Sequence, residues 1–364
     1  VTRRIKASAD LPPIARAIFA QQFQRSARRE IVVHGCLLRP TTNMKTQHLF
    51  LLSAIAFAAS LSAPAFAGDY PDAKQIIEPP VPSNPWADTR RPITNPVHFD
   101  LAIPQTVIHP LFIHNRMPNQ IDTILGRVPV GGDYQLYALQ LEVALTERLS
   151  LNATKDGYID FNPDFTLTPD EGFANVGAGL KYAWLLDPAN GLASNFQVLY
   201  EAPLGNDDVW QGYGDGIITP SVNVTKLWGP LQFVDQIGWK IPVDSSESSV
   251  AYNSTHLSYA VTDWLFPLVE VNWFHVIDEG DGSPRYLNQA GGAVPAIANF
   301  EGGDLVNLGA INAGTNEDLV TLAAGFRLRC TDNIDLGFAF EFPLTEDDAS
   351  LMEDRLTVDL TIRF

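Results

Sequence analysis

Cysteine is nearly missing from this chain, with only Cys36 and Cys330 among 364 residues. They lie on opposite sides of the processing site inferred below, so the processed chain keeps one thiol. It can form neither an internal disulfide nor a cysteine-based zinc site. Basic residues are also scarce, at 24 Lys and Arg against 42 Asp and Glu, a formal net charge of −18. That balance argues against nucleic acid as a partner, because phosphate backbones are bound by clusters of Lys and Arg. Long apolar runs are missing too. The longest, Leu49 to Leu61, falls short of the roughly 20 residues that a membrane-spanning helix needs. Yet 46% of the residues are hydrophobic, so they must be spread by a rule other than the helical span.

The N-terminal part carries an address. Met44 and Lys45 open a short basic stretch, the uncharged apolar run follows, and Ala65-Phe66-Ala67 places small residues where a signal peptidase reads them. The pattern predicts a secretory signal over 44–67, cleaved after Ala67. Residues 1–43 are basic, irregular and without a sustained period, and read as an upstream extension with Met44 as the initiator. Cleavage would leave 15 basic and 40 acidic residues, a balance of −25. The next stretch, 68–95, holds Pro71, Pro79, Pro80, Pro82, Pro85 and Pro92. Proline at this density forbids long helix and central strand alike, and predicts an extended periplasmic arm.

From residue 96 onward the rule is alternation. Leu356, Val358, Leu360, Ile362 and Phe364 share one face, and Thr357, Asp359, Thr361 and Arg363 the other. Leu336, Phe338, Phe340 and Phe342 oppose Asp335, Gly337, Ala339 and Glu341, and Val176, Ala178, Leu180, Tyr182 and Trp184 oppose Asn175, Gly177, Gly179, Lys181 and Ala183. Val320 to Arg329 and Tyr137 to Leu145 split in the same way. A soluble sandwich also alternates, but its strands run to about 5 or 6 residues, whereas these runs of about 10 match a tilted bilayer crossing. With lipid on one face, every backbone amide must be paired inside the sheet, which requires closure. The expected fold is therefore all-β: a closed antiparallel transmembrane β-barrel over 96–364.

Connections alternate in length. Thr146-Glu147, Asp187 to Gly191, Trp228 to Pro230, Thr262 to Trp264 and Thr331 to Asn333 are short, while 161–172, 204–215, 243–249, 277–317 and 344–354 are long. Short turns belong to the periplasm and long loops to the exterior. Strands are expected near 134–146, 148–160, 173–186, 192–203, 216–227, 231–242, 250–262, 265–276, 318–330, 334–343 and 355–364. Bacterial barrels have even strand numbers, so a twelfth is expected near 97–108 despite Pro104. Leu305 to Ile311 could form a short strand in the longest loop without crossing. In this register Trp184, Trp228 and Trp264 fall at the short-turn end, and Tyr200, Trp239, Trp273 and Phe340 near the long-loop end, as two interfacial belts require. Asp235 breaks the pattern by standing on the lipid face between Phe233 and Ile237.

An aromatic–charge–spacer–proline–aliphatic element recurs as Tyr200-Glu201-Ala202-Pro203-Leu204, Trp239-Lys240-Ile241-Pro242-Val243 and Phe340-Glu341-Phe342-Pro343-Leu344. Each ends an upward strand, so Glu201, Lys240 and Glu341 are expected inside at similar depth, with Glu270 nearby. Lower down come Lys181, Arg327, Arg329 and Arg363, with Glu142 and Asp359 among them. These charges read either as a constriction that selects solutes or as ion pairs that fill a narrow barrel.

Gly177 to Tyr182, Tyr200 to Leu204, Pro267 to Asn272, Gly325 to Arg329 and Phe340 to Leu344 together resemble a family of bacterial outer-membrane transporters related to proteins associated with the meta-pathway of phenol degradation. The terminal Phe364 is similar to the aromatic end that outer-membrane barrels present to their assembly machinery. The resemblance implies a Gram-negative outer-membrane location among lipids and lipopolysaccharide, and a channel or facilitator for small, hydrophobic or aromatic solutes. The competing reading is a plugged barrel with a structural, adhesive or surface role, favoured if the proline-rich arm or the 277–317 loop blocks the lumen. His256-Leu257-Ser258 resembles the His-x-Ser pair of the outer-membrane phospholipase, another twelve-strand barrel, but Tyr259-Ala260 stands where that family has Asn-Gly. Here Leu257, Tyr259 and Val261 form the apolar face, so His256 and Ser258 are expected to line the lumen without catalysis. Acidic loops (Asp207-Asp208, Asp215, Asp278-Glu279, Asp281, Glu346 to Asp348, Glu353-Asp354) read as solvated charge or as a bridge through divalent cations to lipopolysaccharide. No calcium-loop, phosphate-loop or zinc-protease motif is present, and no cofactor is expected.

Overall fold

A computed structural model describes residues 86–283, 294–302, 305–314, 318–345 and 350–364. The expected upstream extension and signal segment, and most of the proline-rich stretch, lie outside the described residues.

Twelve antiparallel crossings close into a barrel. In chain order they are β1 (Val107–Arg116), β2 (Gly132–Ala144), β3 (Leu149–Lys155 continued by Tyr158–Pro163), β4 (Asp170–Phe173 continued by Val176–Asp187), β5 (Leu192–Ala202) and β6 (Ile217–Trp228). β7 (Leu231–Pro242), β8 (Ser249–Tyr259), β9 (Leu265–Asp278), β10 (Asp318–Thr331), β11 (Ile334–Pro343) and β12 (Asp354–Arg363) complete the wall. Each strand pairs with its chain neighbour, and β1 closes the ring by pairing with both β12 and β2, from Val107 opposite Arg363 and Glu142 to Arg116 opposite Asp354 and Asp133. Closure leaves no edge to satisfy in lipid.

The expected strand near 97–108 is corrected: the first crossing starts at Val107. Its alternation is hidden in the sequence because both faces are partly apolar. Ile108 and Phe112 face out, while Leu111 and Ile113 are buried against an apolar core that also holds Met117, Tyr134, Phe161, Trp210, Phe300 and Leu308. Pro110 further disguises the strand, and the ladder to β12 has no bridge at His109 or Pro110, where one backbone donor is missing. The segment Leu305 to Ile311 adopts no strand.

β3 is interrupted at Asp156-Gly157, yet both halves pair with β2. The backbone amide of Leu139, left over by the interruption, donates to Asp156 Oδ1 at 3.0 Å. Gly157 takes φ +122°, and a Cβ there would stand 2.6 Å from Tyr137 O, so only glycine serves.

The outer surface is apolar around the ring. Leu139, Leu141, Val143, Leu180, Val198, Val222, Ile237, Leu257, Val269 and Phe326 are all exposed large hydrophobics. A water-soluble protein does not carry an apolar band of this extent, so the barrel spans a membrane. Trp184, Trp228 and Trp264 are exposed at the short-turn end, and Tyr200, Trp239 and Phe340 at the other. Trp273 is half-buried there, its Nε1 donating to Asp318. Asp235 does face outward, but it accepts from Thr255 Oγ1 at 2.7 Å and Asn253 Nδ2 at 3.2 Å on the neighbouring strand. A polar cluster on the outer wall thus shares the cost of its carboxylate.

Candidate functional site: the filled lumen and the vestibule above it

The described part of the proline-rich stretch is not an external arm. From Trp86 to Ile103 nearly every residue is buried, and its partners are lumen-facing side chains of the wall. The segment enters at the short-turn end, where Arg90 Nη2 donates to Pro230 O. It rises to mid-height at Asn95, and returns to the same end at Thr106, whose carbonyl accepts from Phe364 N. Pro92 keeps the rising part out of helix, and the chain reverses in a turn at 95–99, where Asn95 O accepts from His98 N and Phe99 N. The expectation of a periplasmic arm over 68–95 therefore needs correction for residues 86–95.

Extended backbone inside a barrel has no ladder to join, so its amides and carbonyls need side-chain partners. The wall supplies them. Gln232 accepts from Arg90 N (2.7 Å) and donates to Arg90 O (2.6 Å). Glu270 accepts from Ile93 N (3.0 Å), Thr94 N (2.7 Å) and Thr94 Oγ1 (2.6 Å). Arg327 Nε donates to Arg91 O, Gln140 to Pro96 O, and Tyr252 to His98 O, while Gln236 accepts from Asp100 N and Thr225 from Ala102 N. Apolar contacts complete the seat. Ile93 packs with Leu268 and Ala339, and Trp86, Phe99, Leu101 and Ile103 pack with Ala193 and Val234.

The ten lumen charges named from sequence separate into levels. At the short-turn end Asp335 pairs with Arg363 (2.7 Å) and Arg329 (3.6 Å). At mid-height Lys181 Nζ reaches Glu142 (2.9 Å) and Asp100 of the arm (2.6 Å), and Arg91 of the arm reaches Asp100 at 2.8 Å. Arg327 and His109 both contact Asp359 at 2.7 Å. Higher, Glu341 accepts from Asn272 (2.9 Å) and Thr321 (2.5 Å) and faces Arg355 at 3.7 Å. Glu201 pairs with Lys155, and Lys240 forms no ion pair among the described residues. Glu201 and Lys240 line one cavity, which neither Glu341 nor Glu270 borders. Sequence reasoning missed Arg90, Arg91, Thr94, Asp100, His109 and Arg355. A signal existed for the arm's share, since uncompensated Gln, Asn and Glu at inward positions require a polar partner within.

His256 and Ser258 point inward as expected, and Glu270 joins them. Glu270 Oε1 is 2.6 Å from His256 Nδ1, and His256 Nε2 is 2.9 Å from Ser258 Oγ. This is an acid–base–nucleophile order, but all three are buried and Arg90 Nε donates to Ser258 Oγ at 3.0 Å. While the arm is docked, no substrate carbonyl reaches that oxygen.

Above the arm lies a cavity of about 430 Å³. Its apolar wall comes from Phe274, Val276, Val250 and Phe300, and its charged groups are Lys155, Glu201, Lys240, Glu247, Glu301 and Asp318. Asn307 Nδ2 donates to both Glu247 Oε2 and Glu301 Oε1 at 3.0 Å, and Ser248 N donates to Glu301 Oε2 at 2.9 Å. Burial, with Glu301 and Glu201 adding repulsion, pushes the Glu247 carboxyl up to about 8. No group of three or more metal-ligating side chains occurs among the described residues.

A scan against protein-family models finds no match, and neither does a comparison with curated proteins. Among solved structures the chain is similar to an outer-membrane channel from Pseudomonas putida F1, at 13% identity, TM-score 0.48, 72% of this chain and 96% of that one. It is also similar to the NanC porin (9%, TM-score 0.42, 71% and 100%) and to LpxR from Salmonella typhimurium (8%, TM-score 0.40, 71% and 100%). All three lie below a TM-score of 0.5 and far below 25% identity, so architecture and function rest on the chain's own strands and side chains.

Proposed function

We propose that this protein is an outer-membrane channel or facilitator for small solutes, closed at mid-height by its own N-terminal segment and open to a vestibule at the long-loop end. The observation that carries the reading is the way residues 86–106 are held. They enter and leave at one end, form no strand with the wall, and are seated by side-chain bonds and ion pairs, so they can withdraw without opening the barrel. Hydrophobic or aromatic solutes, and membership in the meta-pathway-related family, belong to this proposal, as do signal cleavage after Ala67 and delivery through Phe364. The lumen charges then serve at two levels: packing pairs around the arm, and a charged vestibule above it.

Conductance in planar bilayers tests the proposal. Short openings from the intact protein are expected, with open time increased when the Lys181–Asp100 contact is weakened by Asp100→Asn. The burial of the arm also favours a second reading, a permanently plugged barrel with a surface role. Absence of any open state in both proteins, with both correctly folded, would establish that second reading.

A further inference from the structure

The vestibule presents a carboxyl and an ammonium group that share one cavity without bonding to each other. Lys155 and Glu201 neutralise each other. Glu301 has both oxygens engaged, by Asn307 and Ser248 N. Asp318, about half exposed, accepts from Trp273 Nε1 and lies 2.9 Å from His275 Nδ1, which leaves Lys240, at the upper end of β7, and Glu247, in the loop that follows. Both line the same cavity, yet no ion pair joins them. Glu247 is 9% exposed, and only its Oε2 accepts a hydrogen bond among the described residues. Leaving a buried carboxylate half-satisfied is costly, and here the cost is met by retaining a proton: the Glu247 carboxyl sits at about 8. An ammonium group placed beside it would replace that proton and supply the missing donor. Lys240 is bonded to neither of the carboxylates it attracts, Glu201 and Glu247, so its donors are open to an incoming anion. Between them, Phe274, Phe300 and Val250 offer an apolar surface. A cavity of about 430 Å³ lies within the usual range of roughly 300–1,000 Å³ for small-molecule sites.

We propose that the vestibule is a binding site for a small zwitterion with an apolar side chain, an amino-acid-like solute, held with its ammonium at Glu247, its carboxylate at Lys240 and its side chain against Phe274 and Phe300. The proposal rests on the facilitator reading for its purpose but not for its detection, because binding from the long-loop end requires no movement of the arm. A neutral aromatic compound engages neither group, an anion leaves Glu247 without a donor and a cation leaves Lys240 without an acceptor. The zwitterion alone answers both.

The test uses the purified full barrel in detergent micelles, with titration calorimetry and the fluorescence of Trp210, which borders the cavity. Four probes share one ring: phenylalanine, phenylacetate, 2-phenylethylamine and benzyl alcohol. Phenylalanine is expected to bind saturably and at least tenfold more tightly than each of the others. Lys240→Gln should bring phenylalanine down to the affinity of 2-phenylethylamine while leaving that amine unchanged. Glu247→Gln should bring it down to the affinity of phenylacetate, and both variants keep the side-chain volume needed for folding. Equal affinity for phenylalanine and either singly charged probe overturns the proposal, as does lack of saturable binding by phenylalanine. Saturable phenylalanine binding to a barrel that never conducts would instead reject the facilitator reading and leave this site standing.

Discussion

Glu270→Gln should release the arm without unfolding the barrel. In the native protein one carboxylate accepts from Ile93 N, Thr94 N and Thr94 Oγ1 and is oriented by His256 Nδ1. Glutamine keeps a single acceptor oxygen and turns an NH2 group toward donors, so two charge-assisted bonds to the arm are lost. Such bonds contribute about 1.5–3 kcal/mol each. Partial relaxation leaves a net loss of roughly 2–4 kcal/mol in docking, or about a 30- to 700-fold rise in the undocked fraction at 1.4 kcal/mol per tenfold. Trypsin reads this fraction directly. The bond after Arg90 is sealed in the folded protein, where Arg90 and Arg91 are 2% and 5% exposed. If reclosing outpaces cleavage, the rate follows the open population. The barrel itself is monitored by its heat-modifiable mobility on gels. A rise in cleavage of less than threefold in a folded Glu270→Gln barrel would show that Glu270 does not hold the arm.

Other consequences can be checked in the same preparations. Gly337→Ala would place a Cβ 2.9 Å from Ile93 Cδ1 and 2.1 Å from Asp359 Oδ1. It should therefore speed cleavage after Arg90 and lower the thermal midpoint, and an unchanged midpoint would show that the arm does not pack there. Glu247 sets a pH dependence of the vestibule loops. Its folded pKa, about 8, is raised above the unfolded value near 4.5, so its contribution is fully present below that lower value and is lost as pH rises through about 8. Hydrogen exchange in 243–248 should accelerate as pH rises from about 4.5 to about 8 and level off above it, after correction for intrinsic rates, and Glu247→Gln should abolish the excess. Asp235→Val combined with Thr255→Val should cost less stability than the sum of the two single changes, by about 1 kcal/mol, because each single change strands the partner on the lipid face. Additive effects would show that the Asp235–Thr255 bond contributes nothing in the membrane.

The wall is legible in the sequence because lipid imposes a one-sided rule: Leu356 to Phe364 and Val176 to Trp184 alternate with their apolar residues on the outer face, Ile362 alone among them being covered. The rule fails where the inner face is also apolar. Leu111 and Ile113 lie against the loop core that contains Phe300 and Leu308, so β1 shows no one-sided period, and the even-number rule, which asks for a twelfth strand without locating it, places it about ten residues too early. The belts, the inward charges and the inward His256-Ser258 pair follow from register alone. The pairing of those charges does not, because periodicity gives a side chain's face and approximate depth but not what fills the interior.

That interior is where the arm becomes a physical necessity. A twelve-strand wall is wider than side chains from opposite strands can span, so inward Gln232, Gln236, Gln140 and Glu270 would face water or need a third layer. Residues 86–106 form that layer, and their composition suits it. Prolines prevent competing secondary structure, while Arg91 and Asp100 insert one charge of each sign beside Glu142 and Lys181. Seating by side chains rather than by strand pairing makes the layer separable from the wall. The wall's amides are already satisfied within the sheet, so removing the arm would expose polar side chains to water, where they are solvated, and not backbone groups to lipid. The cost of opening is then set by the side-chain hydrogen bonds and ion pairs that seat the arm and by its apolar contacts, those of Val97 with the loop core included.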